Sequence, residues 1–165
     1  MSITAEQISD YYQKNKTDSI HLQEFAQLEK LTMLQNDEDR WKMLRSIRSA
    51  VLKAMEGLRE KGLIKHSLEA KVTIAVDPKA SFAPIFNMLL ADLANTVQGT
   101  NGFFEEFFIV SQFELRSDMN NLEQSEYPGL YVHIEQASGQ KCPRCWQWKE
   151  TVHEHNLCAR CQKIV

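Results

Sequence analysis

The sequence predicts an α+β protein in three parts: a helical segment over residues 1–66, a small mixed sheet with one packed helix over 67–139, and a four-cysteine finger over 140–165. Three observations carry this. From Asp37 to Gly62, the residues Trp41, Leu44, Ile47, Val51, Met55 and Leu58 recur at spacings of three and four, which is one face of an amphipathic helix. The stretches LEAKVTIAV (68–76) and GLYVHIEQA (129–137) alternate apolar and polar positions and are rich in β-branched residues, as half-buried strands are. All four cysteines fall in one pattern, KCPRCW followed by LCARC, with none left over.

The helical part opens with Thr4 followed by Gln7, the arrangement of a capping box, and Ile8 with Tyr11 or Tyr12 supplies an apolar face. A polar break, KNKTDS, follows; HLQEFAQLEKL beyond it fits a short helix or an extended linker equally. The helix of residues 37–62 carries Asp37, Glu38 and Asp39 at its start, where the helix dipole favours acids. Lys61 and Lys65 stand near its end, and Gly62 is its expected C-cap. In the α+β part, an Asp-Pro turn opens DPKASFAPIFNMLLADLANTV, whose apolar spacing through Phe86, Leu89 or Leu90, Leu93 and Val97 predicts a helix. EEFFIVSQFELR reads as a second strand, and Asn101-Gly102 and Pro128-Gly129 as turns.

Cys142 with Cys145, and Cys158 with Cys161, form two Cys-x-x-Cys knuckles separated by twelve residues. Such a turn aims two thiolates at one ion, and two turns complete a tetrahedral S4 site, which suits one structural zinc. Disulfides, and iron in a rubredoxin-like site, are the alternatives. MSITAEQISDYY has neither the basic nor the apolar region of a secretion signal, and no apolar run approaches the roughly 18 residues of a membrane helix. Cytoplasmic residence, with reduced thiols, is therefore expected. His153 and His155, between the knuckles, read as polar loop because four thiolates already fill the coordination sphere.

A formal net charge of −3 conceals a basic stretch. Between Arg40 and His66 there are eight Lys or Arg against two acids, and Lys42, Arg45, Arg48, Lys53 and Arg59 gather on one helical stripe. The stripe fits a solvated face or a phosphate-binding surface. Lys141, Arg144, Lys149, Arg160 and Lys163 surround the cysteines. Trp146, next to the first knuckle, fits either a lid over the metal or a platform for an unpaired base, and Trp148 fits packing against the sheet. There is no glycine-rich phosphate loop and no serine elbow, and the histidines are scattered, so the residues read as a binding module.

KCPRCW with LCARC, the lead-in GLYVHIEQASGQKCPRCW, and the stretch WKMLRSIRSAVLKAMEGLREKGLIKHSLEAKVTI together resemble the C-terminal region of bacterial-type isoleucyl-tRNA synthetases. The resemblance is weak before Asp37 and strong after it. LIKHSLEA departs from the family's IG-x-SLEA-type turn in lacking the glycine. It implies that residues 1–66 end a helical anticodon-binding domain of an enzyme that uses ATP to attach isoleucine to its tRNA. The His-Ile-Gly-His and Lys-Met-Ser-Lys-Ser signatures of the adenylate-forming domain do not occur here, so this chain is expected not to aminoacylate by itself. It implies isoleucine tRNA and the catalytic body as partners, in a monomer away from membranes. Arg144 and Trp146 match the likeliest anticodon contacts, Arg160 and Lys163 lie beside them, and Arg45, Arg48, Lys53 and Arg59 would face the anticodon stem backbone.

Two other readings compete. Formamidopyrimidine-type DNA glycosylases end in a similar four-cysteine finger, but begin with a catalytic proline and place helices before it, whereas this chain places strands there. A zinc-stabilised protein-interaction module is the third reading.

Overall fold

A computed structural model describes residues 2–12, 19–22, 35–150 and 156–164. Most of HLQEFAQLEKL, together with His153 and His155, lies outside these residues. The chain divides into two compact units, Met1–Met33 and Leu34–Val165.

In the first unit, helix α1 (Ser2–Tyr12) is followed by a 3₁₀ turn at Ile20–Leu22. The Glu6 carboxylate joins them, accepting from Ser19 Oγ at 2.9 Å and from the Ile20 N–H at 3.1 Å. Because α1 begins at Ser2, Thr4 lies inside the helix and is not its cap.

The second unit is built on a four-stranded mixed sheet in the order β2-β1-β4-β3, comprising β1 (Ala70–Val76), β2 (Gln112–Arg116), β3 (Glu123–Gln124) and β4 (Leu130–Gln136). Helix α2 (Gln35–Glu60) precedes it and packs its buried face, from Met43, Leu44, Ile47, Ala50, Val51 and Met55, into the same core as Val72, Ile74, Leu130 and Val132. Trp41, expected on that face, is 48% exposed, since Met43 and Leu44 supply the contact at this end instead. The helix stops as the sequence predicts. Gly62 takes φ +71, its N–H bonds Arg59 O at 2.9 Å, and the Leu63 N–H bonds Leu58 O at 3.0 Å. That bond pair is a Schellman motif, and its left-handed residue is one glycine adopts without steric cost.

Without the expected glycine, the turn into β1 is fastened by side chains. His66 Nδ1 accepts from the Leu68 N–H at 3.2 Å, and the Glu69 carboxylate accepts from the Lys65 N–H at 2.8 Å. That backbone bond is the chief reason the Glu69 pKa lies below the ordinary carboxylate value.

Strand β1 pairs parallel with β2 (Lys71 opposite Gln112, Ala75 opposite Arg116) and antiparallel with β4 (Val72 opposite Ile134). A parallel pair needs a crossover, and here it is made of two helices, α3 (Ala83–Ala94) and α4 (Gly99–Phe108). Val97, expected to extend the apolar face of α3, lies beyond that helix and is fully exposed. EEFFIVSQFELR is therefore half helix and half strand, and Asn101-Gly102 lies within α4 and is not a turn. Phe104 and Phe108, four apart, enter the core, with ring centroids 5.5 Å apart and the Phe113 ring 4.7 Å from Phe104. The end of α4 carries the same bond pattern as the end of α2, Ile109 N–H to Glu106 O and Val110 N–H to Glu105 O, with Ile109 in the left-handed region at φ +59. An isoleucine there is rare, so the sequence carries no sign of the stop.

Candidate metal centre and nucleic-acid interface

Beyond β4 the chain forms a two-stranded ribbon of β5 (Gln140–Lys141) and β6 (Trp148–Lys149), then a short helix, α5 (Ala159–Gln162). The first knuckle is the ribbon's turn. Cys142 N–H bonds Gln147 O at 2.9 Å, and Trp146 N–H returns to Cys142 O at 2.8 Å. This closure holds Trp146 at φ +65, left-handed and unusual for a bulky side chain. The second knuckle caps α5: Cys158 is its extended N-cap, and Gln162 N–H bonds Cys158 O at 3.0 Å.

The knuckles face each other. One sulfur from each of Cys142, Cys145, Cys158 and Cys161 lies within 4.8 Å of the others, and no disulfide links them. Cys145 Sγ and Cys158 Sγ are 3.7 Å apart, close to the ~3.8 Å edge of a tetrahedron with metal–sulfur bonds of about 2.3 Å. Cys142, Cys158 and Cys161 are buried. Four sulfurs close together at that spacing could hold a metal ion. The electrostatics point the same way. Burial opposes ionisation of Cys142, yet backbone N–H groups of Cys145, Cys158 and Arg144 outweigh it and bring the thiol down to about 6. Burial raises the Cys145 thiol, and burial with its neighbouring cysteines pushes Cys161 up to about 12. Thiolates so close together repel one another, and a cation among them would relieve that repulsion.

The ribbon is fastened to the edge of the sheet. Trp148 N–H donates to Ser111 Oγ at 2.7 Å, and Lys149 Nζ reaches Glu105 at 2.9 Å and Ser111 O at 3.0 Å. Gln112 holds Ser138 from the other side, its Oε1 accepting from the Ser138 N–H at 3.1 Å. Gly139 stands at the entrance with φ +92, and a Cβ there would lie 2.3 Å from Lys149 O. Only glycine fits so close an approach at that backbone angle. Trp148 is half-buried, with its Nε1 enclosed.

The structure disperses the expected nucleic-acid contacts. Trp146 projects outward, 55% exposed. Arg144 bonds Cys161 O at 3.3 Å, stapling one knuckle to the other, while Arg160 and Lys163 are exposed on and just after α5. On α2, Arg48 bonds Phe107 O and lies 5.3 Å over the Phe107 ring, Lys53 pairs with Glu126, and Arg59 pairs with Glu56 at 3.0 Å. Arg45 is exposed and joins no ion pair among the described residues. Lys141, one of the basic residues around the cysteines, was given no contact of its own by the sequence. Its Nζ lies 5.4 Å from the Trp146 ring centroid. The pattern K-C-x-x-C-W was the available signal, since a ribbon that closes on its knuckle brings the residue before the first cysteine beside the one after the second.

No protein-family model matches the chain. Curated relatives do, from end to end. The chain is 34% identical over 170 residues, all of its length, to the isoleucine–tRNA ligase of Syntrophotalea carbinolica. It is 30% identical over 175 residues, again all of its length, to that of Geobacter sulfurreducens, and 30% identical over 172 residues, 98% of its length, to that of Staphylococcus epidermidis. The chain belongs with the bacterial isoleucine–tRNA ligases. It corresponds to a C-terminal part of such a ligase and spans 16–17% of the length of these relatives. Among the described residues no helix is long and apolar enough to cross a membrane.

Proposed function

We propose that the chain is the tRNA-binding C-terminal part of an isoleucine–tRNA ligase, contributing recognition of the anticodon region to the ATP-dependent attachment of isoleucine to its tRNA. The observation that carries this reading is the match along the whole chain to isoleucine–tRNA ligases of several bacteria. The exposed Trp146 ring, on a knuckle braced by Arg144, supports it, because aromatic side chains on rigid turns stack on unpaired bases. In this reading Cys142, Cys145, Cys158 and Cys161 hold one zinc. Bound there, zinc supplies charge and cross-linking with no open position, and so a structural role. Arg144 keeps the second knuckle against the first. Arg160, Lys163 and Arg45 supply cations to the RNA backbone, while Arg48, Lys53 and Arg59 lend charge from positions already engaged within the protein. The adenylate-forming site belongs to the catalytic body, the chain's second partner, in a monomeric cytoplasmic enzyme.

The test is a salt titration of the zinc-loaded chain with isoleucine tRNA and with a noncognate tRNA. The expected result is preference for the cognate, with affinity falling steeply as salt rises. Equal weak binding of both refutes anticodon-region recognition by this part. Metal analysis is expected to return one zinc per chain, and loss of zinc binding in Cys142→Ser is expected with it.

A further inference from the structure

Trp146 stands beside Lys141, which the proposed tRNA contacts do not include. The tryptophan sits in the left-handed region, fixed by its own N–H bond to Cys142 O at 2.8 Å, and keeps 55% of its surface open. A bulky residue held in that region costs roughly 1–3 kcal/mol and persists where the surroundings over-determine it, which happens most at ligand-contacting positions. Lys141 is exposed, joins no ion pair among the described residues, and directs its ammonium to the Trp146 ring at 5.4 Å. A cation over an aromatic face is attracted to the ring, and it occupies that face. More than half of the residue's surface stays open beside that contact. An ammonium 5.4 Å from a stacking ring is also within a side chain's swing of the backbone phosphate of a nucleotide stacked there.

Resting on the tRNA-binding reading above, we propose that Lys141 and Trp146 together form a clamp for one unpaired nucleotide. The base stacks on the uncovered face of Trp146, and the Lys141 ammonium orients the ring and neutralises the phosphate of the same nucleotide. Lys141 is thus a positioning residue as well as a backbone contact. Because stacking reads a π-face and the ammonium reads a phosphate, the clamp takes any base, and sequence preference comes from neighbouring contacts.

The experiment uses the whole zinc-loaded chain and isoleucine tRNA, with affinity measured across a salt series for Lys141→Gln, Lys141→Arg, Trp146→Ala, Trp146→Phe and the double variant Lys141→Gln/Trp146→Ala. Zinc content and melting temperature of each variant establish that the knuckle is intact. Trp146→Ala is expected to weaken binding roughly 5- to 150-fold. Lys141→Gln is expected to weaken it and to reduce the magnitude of the log–log salt slope by about 0.7, the value for one single-strand phosphate. Lys141→Arg and Trp146→Phe should retain most of the affinity, and the double variant should lose less than the two single losses combined. The clamp is overturned if Lys141→Gln matches the wild type in affinity and slope while Trp146→Ala weakens binding; the tRNA-binding reading then survives without it. It is overturned as well if cognate-selective binding persists undiminished in the double variant, which places the RNA elsewhere on the chain. If the wild-type chain binds no tRNA, both fail together.

Discussion

Replacing Gly139 with alanine should open the ribbon while leaving the sheet folded. Gly139 enters the ribbon at φ +92, and an added Cβ would lie 2.3 Å from Lys149 O, 2.5 Å from Lys149 C and 2.8 Å from Glu150 Cα. All three are backbone atoms, so no side chain can swing aside. Ordinary carbon–oxygen contacts begin near 3.3 Å, so β6 must retreat by about 1 Å. The ribbon has just two register pairs, Gln140 with Lys149 and Lys141 with Trp148, and that retreat opens the first. Alanine at a positive φ costs about 1–3 kcal/mol, and a lost ladder bond about 0.5–1.5 kcal/mol. The total is about 2–4 kcal/mol, charged to the ribbon alone. If ribbon folding and metal binding are one equilibrium, zinc affinity should drop about 30- to 1,000-fold. A competition titration against a chromogenic chelator reads this, and hydrogen exchange at β1 reads the sheet. Zinc affinity within threefold of wild type would refute the close-approach argument. A simultaneous loss of protection in β1 would refute the separation of ribbon and sheet.

Four further outcomes follow from the same structure. Phe104 is fully buried among Phe86, Phe103, Phe108 and Phe113, so Phe104→Ala should destabilise the second unit by about 3–5 kcal/mol, measured by urea unfolding. Glu69 has a pKa lowered chiefly by the Lys65 N–H, so it contributes stability above the unfolded carboxylate value and loses it as pH falls through the folded one. Glu69→Gln should therefore cost about 1 kcal/mol at neutral pH, with wild type and variant converging in acid as that carboxylate protonates. Arg45→Ala should reduce tRNA affinity and the log–log salt slope by about 0.9 with no change in melting. Arg48→Ala should instead destabilise the fold by about 1–2 kcal/mol, because its guanidinium holds Phe107 O and covers the Phe107 ring.

The contrast between α2 and α4 explains what was legible in the sequence. Both end in the same bond pattern, yet Gly62 announces the first stop and Ile109 hides the second. With that stop hidden, FFIV reads as strand, since aromatic and β-branched residues favour strands until tertiary packing decides. Phe104 and Phe108 settle it by reaching one core from positions four apart, a spacing a strand would send to one face but over twice the length. Missing α4 also conceals the parallel pairing of β1 with β2, because its crossover is half unread. The cysteine pattern was legible because coordination chemistry acts at fixed short spacing. The fate of the basic stripe was not, because Phe107 and Glu126, which engage Arg48 and Lys53, lie 59 and 73 residues away in sequence.

The ribbon's own core consists of the cysteines with the partly buried Leu157 packed against them. Such a core buries too little apolar surface to offset the ordering of its backbone, so an ion held by the four cysteines, as proposed above, would supply most of its folding free energy. Its orientation has a different source. Ser111, Glu105 and Gln112 hold Trp148, Lys149 and Ser138 by direct hydrogen bonds, and all three partners lie between the last turn of α4 and the first residue of β2. Knuckle and sheet therefore act on separate properties of Trp146. The hydrogen-bonded knuckle fixes its backbone angle, and the edge of the sheet fixes the direction in which the ring is offered. A substitution at Ser111 should accordingly turn the platform without emptying the metal site. Ser111→Ala with full zinc content and weakened tRNA binding would separate the two, whereas loss of zinc in that variant would show them to be one.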